Sequence, residues 1–231
     1  MIDERTAVSQ SPQVYVGFDP GGKGKFGWCV AEVAGAQSLC VLRSDNENNA
    51  CSATHAVCKY AKAASAEIIA IGIDSPLFWS FRGDRTVDGI VRGAVKSKDC
   101  GTASGTVQNV NSLRGACLAQ GILAAHLMRE AFPEVQITES HPKALLWLLG
   151  LATRDVPVDS IKAKDLHAFV TFPSNGDVSE HQRDAALGAY AAWAMASPCD
   201  RWTNLFTREP WPFVPVPPVG YWMPKWDGEP A

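Results

Sequence analysis

Four acidic residues stand where carboxylates can meet. Asp19 closes the apolar run 14–18 and opens Asp-Pro-Gly-Gly-Lys-Gly-Lys; Asp74 closes the run 68–73 ahead of Ser-Pro; Glu139 ends residues 135–139 ahead of Ser-His-Pro; Asp184 lies among Ala, Leu, Tyr and Trp. Runs of β-branched and aromatic residues that stop at Pro and Gly read as strands ending there. Neighbouring strands lie roughly 4.8 Å apart, so acids at their ends can share one or two hard cations such as Mg²⁺ or Mn²⁺. Two such cations lower the pKa of a water and stabilise charge around phosphorus, the chemistry of phosphodiester hydrolysis. Asp184 is informative for another reason: an acid inside an apolar helix is costly unless it is paired or holds a cation. Ordinary roles remain open for each. Asp-Pro-Gly-Gly is also hairpin chemistry, an Asp before Ser-Pro ends strands, and an acid in the first turns of a helix suits the macrodipole.

Lys23 and Lys25 sit in the glycine-rich turn beside Asp19. Gly17 and Gly22-Lys23 have the spacing of a G-x-x-x-x-G-K phosphate loop, but Gly24 stands where that loop needs a Ser or Thr for magnesium, and Asp19 and Pro20 lie inside it. The match is weak. Residues 81–114 form the most basic and least regular stretch, with Arg82, Arg85, Arg92, Lys96, Lys98 and Arg114 against Asp84, Asp88 and Asp99. It reads either as a solvated loop of mixed charge or as a basic arm that positions a polyanion by its phosphates.

These side chains need a frame. Residues 14–19, 26–33 and 38–43 read as three strands of an antiparallel meander. Apolar positions 53, 56, 57, 61 and 64 mark a helix over 50–64, and a buried strand follows at 68–73. A right-handed crossover sets that strand parallel to the first and brings Asp19 and Asp74 to one sheet edge. Residues 112–131 predict a helix, 135–139 a strand, and 143–149 and 159–170 two short helices. Ser179 with Gln182 is a capping box opening a helix to Ala196 that is apolar nearly all round. From Ser197 the chain holds eight of the 15 prolines and four of the 8 tryptophans, which predicts an extended strap over the body and no central strand.

Composition agrees with one globular unit. The chain has 231 residues, 46% of them hydrophobic, and a net charge of −3, so no global field marks a general nucleic-acid coat. The expected division is a flexible N-terminus over 1–12, one domain over 13–196 and a packed tail over 197–231. Residues 1–13 have no basic start and no apolar core, and no apolar run reaches a membrane span, which predicts a cytoplasmic protein without a membrane partner. The 7 cysteines include no C-x-x-C pair; they read as reduced thiols, not a zinc site.

The order of three hairpin strands, helix, strand, helix, strand, helix is that of the ribonuclease-H-like fold. The chain also resembles the family catalogued as domain of unknown function 429, regarded as a predicted nuclease of that fold. The resemblance lies in Gly17-x-Asp19-x-Gly21 ahead of Gly27-Trp28, Ile73-Asp-Ser-Pro76, Arg85-x-x-Asp88-x-x-Val91-Arg92, Glu139-x-His141-Pro142 and Asp184-Ala185 through Ala189-Tyr190. His181-Gln-Arg-Asp184-Ala185 is similar to the H-x-x-D-A of RuvC-type resolvases, which share the fold and place His181 one helical turn from Asp184. Lys23-Gly24-Lys25 departs from the family's shorter turn.

What the resemblance implies is an α/β protein with a five-stranded mixed sheet and a metal-dependent nuclease site. Asp19, Asp74 and Asp184 would hold Mg²⁺ or Mn²⁺, with Glu139 either a further metal ligand or an acid one layer behind the ligands, and His181 beside them. Lys23, Lys25, Arg82, Arg85, Arg92 and His141 would meet a nucleic-acid substrate, DNA or RNA. A homodimer is among the assemblies the sequence allows. Two other classes stay open: an actin-like or sugar-kinase-type nucleotide-binding protein, which needs a second Asp-Gly-rich hairpin not found here, and a non-catalytic interaction module of the same fold.

Overall fold

A computed structural model describes residues 11–80, 85–98, 107, 115–172, 177–197, 200–210 and 212–227. Strands β1 (Gln13–Asp19), β2 (Phe26–Gly35) and β3 (Ser38–Glu47) pair antiparallel in the expected meander, Phe18 opposite Trp28 and Trp28 opposite Asp45. The first turn closes on a 2.8 Å bond from Lys25 N–H to Gly22 O, with Gly24 at φ 72°, a conformation glycine adopts without a Cβ penalty. Helix α1 (Ala50–Ala64) begins on a reciprocal cap between Asn49 and Ser52. Its crossover sets β4 (Glu67–Ile73) parallel to β1, with Phe18 opposite Ile73.

Beyond β5 (Trp79–Ser80), α2 (Thr86–Lys96) and α3 (Gly115–Ala131), strand β6 (Gln136–Glu139) runs parallel to β4 with Ile73 opposite Glu139. Helix α4 (Pro142–Leu148), strand β7 (Val170–Thr171) and helix α5 (Glu180–Ala196) follow, and then β8 (Trp202–Asn204), β9 (Pro212–Phe213) and β10 (Gly220–Pro224). The main sheet runs β7-β3-β2-β1-β4-β6-β10-β8, while β5 and β9 form a separate pair. The fold is mixed α/β. Its central order β3-β2-β1-β4-β6, antiparallel then parallel, is the one expected of a ribonuclease-H-like sheet.

The sheet has 8 strands, not five, because β7 extends one edge and β10 and β8 extend the other. Proline cannot donate to a ladder, yet Gly220–Pro224 is free of proline until its last residue. It therefore lies inside the sheet, parallel to β6 and antiparallel to β8. The helix expected over 159–170 is instead two 3₁₀ turns, Val158–Ser160 and Ala163–Leu166. Arg183 Nη1 takes the carbonyls of Val158 (3.3 Å) and Ile161 (2.6 Å), and Asp165 accepts from Lys162 N–H at 2.8 Å to start a fresh turn. Within the stretch expected to be irregular, α2 buries Val87, Val91 and Val95 at helical spacing; residues 81–84, 99–106 and 108–114 lie outside the described residues. Among the described residues, no helix is long and apolar enough to cross a membrane.

Helix α5 lies directly on strand backbone. A Cβ at Gly17 would come within 1.6 Å of Ala185 O, at Gly27 within 2.3 Å of His181 O, and at Gly72 within 1.9 Å of Gly188 O. Three strands thus surrender their side chains under one helix, and that approach sets the site.

Candidate functional site

Residues two apart on a strand share a face. Gly17 and Asp19 therefore share the face that α5 covers, as do Gly72 and Asp74, and the two aspartates leave the sheet together where β1 and β4 end. Asp74 N–H donates to Phe18 O at 2.9 Å, which carries the parallel ladder one residue past Ile73. Asp184 belongs to the stripe of α5 that faces the sheet, one residue before Ala185 over Gly17 and one turn before Gly188 over Gly72.

The charges register this convergence. Burial pushes the Asp74 carboxyl well above its ordinary value, and the charges of Asp19, Asp184 and Glu139 push it further. Burial likewise raises Asp184 to about 7, with Arg183 opposing and Asp19 adding to the rise. Asp19 is raised by burial against the pull of His181, whose Nδ1 lies 2.6 Å from Asp19 Oδ2. That bond raises His181 in turn. Arg183 secures Asp184 through Nε at 2.7 Å and Nη2 at 2.6 Å. Lys143, at the start of α4 and 3.6 Å from Glu180, draws Asp19 and Asp74 down. The sequence reading missed Lys143; its signal was a lysine four residues past the strand-end Glu139.

Glu139 falls out of phase with the aspartates. Phe18, Ile73 and Glu139 align across β1, β4 and β6, so the next row holds Asp19, Asp74 and Ser140. Ser140 is buried, and its Oγ has no hydrogen-bond partner among the described residues. Glu139 instead accepts from Leu77 N–H (3.0 Å) and from Arg85 Nη1 (2.7 Å) and Nη2 (2.6 Å), with His141 Nε2 at 2.8 Å. Burial alone would raise its carboxyl, but Arg85 and His141 hold it down at about 2.

Arg85 differs most from its expected part. In place of the expected phosphate contact it is 2% exposed, and all of its N–H groups are taken. Nε donates to Asp88 Oδ2 (2.8 Å), Nη1 to Phe78 O (3.2 Å) and Glu139, and Nη2 to Asp88 Oδ1 (2.6 Å) and Glu139. His141 likewise spends Nε2 on Glu139 and packs its ring against Tyr221. Arg92 is half-buried and donates to Val107 O at 3.3 Å. Lys23 and Lys25 are exposed on the turn just beyond Asp19. Arg82 lies outside the described residues.

Two carboxylate groupings can therefore be weighed for a divalent cation. Asp88, Glu139 and His141 each place a ligand atom within 4.8 Å of the others, but the Arg85 guanidinium already supplies the positive charge there. Asp19, Asp74 and Asp184 are offset by one guanidinium, one imidazole and one ammonium, and the last two are part-exposed. Asp19, Asp74 and Asp184 do not bring their ligand atoms within 4.8 Å of one another; as hard oxygen donors at a partly open sheet end they are of the type that suits Mg²⁺ or Mn²⁺.

Fold and site together define a mixed α/β protein with an acidic centre at the carboxyl ends of its two middle strands. No protein-family model and no curated protein matches the chain. Among solved structures it is similar to a Thermus thermophilus RuvC structure, at 17% identity and a TM-score of 0.43, over 77% of this chain and 91% of that one. So distant a likeness decides nothing further about this chain.

Proposed function

We propose that the chain is a divalent-cation-dependent nuclease acting on phosphodiester bonds of DNA or RNA. The observation that supports this reading is the placement of Asp19 and Asp74 at the adjacent ends of β1 and β4, on the face covered by α5, whose sheet-facing stripe carries Asp184. The three aspartates hold the cation or cations, Mg²⁺ or Mn²⁺, which when bound would supply an activated water and stabilise charge on the phosphoryl oxygens.

The remaining groups bind and orient. His181 fixes Asp19 through Oδ2 and can carry a proton at the rim of the site. Arg183 anchors Asp184 from behind while its other N–H groups hold the 158–161 segment. Lys143, Lys23 and Lys25 place positive charge on the open side, where a phosphate backbone would approach. The expected location is the cytoplasm.

The test is cleavage of single-stranded, duplex and branched DNA and RNA with and without Mn²⁺. The parent chain should cut at least one of these only with the cation, and D19N should lose that activity by 100-fold or more, on the order of removing a principal charge-stabilising group. Full Mn²⁺-dependent cleavage by D19N would sink the assignment.

A further inference from the structure

Glu139 stands one residue out of phase with Asp19 and Asp74, yet it reaches the backbone that follows Asp74. Its Oε2 accepts from Leu77 N–H at 3.0 Å and from Arg85 Nη1 at 2.7 Å, and the same Nη1 donates to Phe78 O at 3.2 Å. One buried ion pair thus satisfies an N–H and a C=O of the segment that begins at Asp74. Ser75 adds a third tie, its Oγ donating to Cys117 O at 3.3 Å. The ladder ends with the Asp74 N–H to Phe18 O bond, and these side-chain ties hold the backbone that leaves Asp74.

The clamp is itself held rigidly. Asp88 grips the guanidinium at 2.6 and 2.8 Å, the Phe78 ring lies 4.5 Å from its carbon and the Tyr221 ring 5.7 Å. Arg85, Asp88, Glu139 and Tyr221 are each 2% exposed or less. Such a network fixes a single geometry when every member is satisfied. Tyr221 comes from β10, and Glu209 accepts from Thr86 N–H at 2.8 Å at the first turn of α2, so the tail closes over the clamp at two points.

We propose that Glu139 and Arg85 are positioning residues, an ion pair that ties residues 74–78 to β6 and α2 and holds Asp74 against the repulsion of Asp19 and Asp184, without touching substrate or cation. This rests on the three aspartates being the cation site. Groups one layer behind a metal ligand typically change affinity by roughly 10–100-fold when altered.

The experiment uses the intact chain and its E139Q, R85K and E139Q/R85K variants, with two readouts: the Mn²⁺ dissociation constant by calorimetry and amide hydrogen exchange at Leu77 against Val16 and Ile71. Both single variants should weaken Mn²⁺ binding at least tenfold and speed exchange at Leu77 while Val16 and Ile71 stay protected. The double variant should be no weaker than the worse single, because both changes open one clamp. If E139Q weakens Mn²⁺ binding while R85K does not, and Leu77 exchange is unaltered, Glu139 is a ligand and the proposal is overturned. D88N, which slackens Arg85 while leaving both members of the pair in place, gives the same comparison should R85K fail to fold. A parent chain that binds no Mn²⁺ removes the cation-site reading; Leu77 exchange then still upholds or overturns the clamp by itself.

Discussion

Replacing Asp184 by asparagine should stabilise the metal-free protein. The Asp184 carboxyl is 4% exposed and titrates at about 7 where its ordinary value is 3.8. A raised carboxyl pKa means that the folded state keeps a proton the unfolded state has lost, so stability falls as pH rises between the two values. Below about pH 3 both states are protonated and the charge costs almost nothing. At 1.36 kcal/mol per unit, the cost is between about 1 and 2 kcal/mol at pH 5 and levels off at about 4 kcal/mol above pH 7. D184N carries no charge at any of these pH values and can still accept from Arg183. Urea denaturation in EDTA should therefore show D184N ahead of the parent by about 4 kcal/mol at pH 8, with the lead shrinking below half of that at pH 5. Mn²⁺ at 100 times its dissociation constant should close more than half of that lead, since it adds about 2.7 kcal/mol to the form that binds it. A D184N protein less stable than the parent at pH 8, or a difference that ignores pH, would refute the picture of crowded buried carboxylates.

Two further substitutions probe the frame. G72A would force a methyl to within 1.9 Å of Gly188 O, so α5 must lift; a loss of about 3 kcal/mol or more in thermal unfolding is expected, with Mn²⁺ stabilisation lost as well. Glu139 shows the opposite pH behaviour from Asp184: its carboxyl is depressed to about 2 from 4.5. Its contribution of about 3 kcal/mol is therefore present above pH 4.5 and lost as pH falls toward 2, and E139Q should flatten that acid limb in a pH-dependent melting series.

Much of the site could be read from residue order, and what failed did so for long-range reasons. Asp19 and Asp74 are legible because strand tips announce themselves, and each aspartate also follows a glycine at the same spacing, Gly17 and Gly72, which marks the strands that α5 crosses. Asp184 declared itself as an acid in an apolar helix. Glu139 was legible as a strand-end acid, but its phase against Asp74 depends on the β4–β6 register, which no local pattern encodes. The 159–170 helix was lost to Arg183, a side chain from a later element. The inner place of β10 was hidden by its proline-rich surroundings, although Gly220–Pro224 alone reads as a short strand.

That inner strand has a consequence for how the chain is made. β6 must stand beside an empty position until β10 arrives, and Tyr221 lies 82 residues after Glu139, its partner in the ladder. At translation rates of about 5–20 residues per second, the nascent sheet keeps a bare edge for roughly 4–16 s. Unpaired strand edges are templates for pairing with other chains. Premature termination anywhere between α5 and β10 would leave that edge open for good, with Arg85 and Glu139 lacking the Tyr221 ring that covers them.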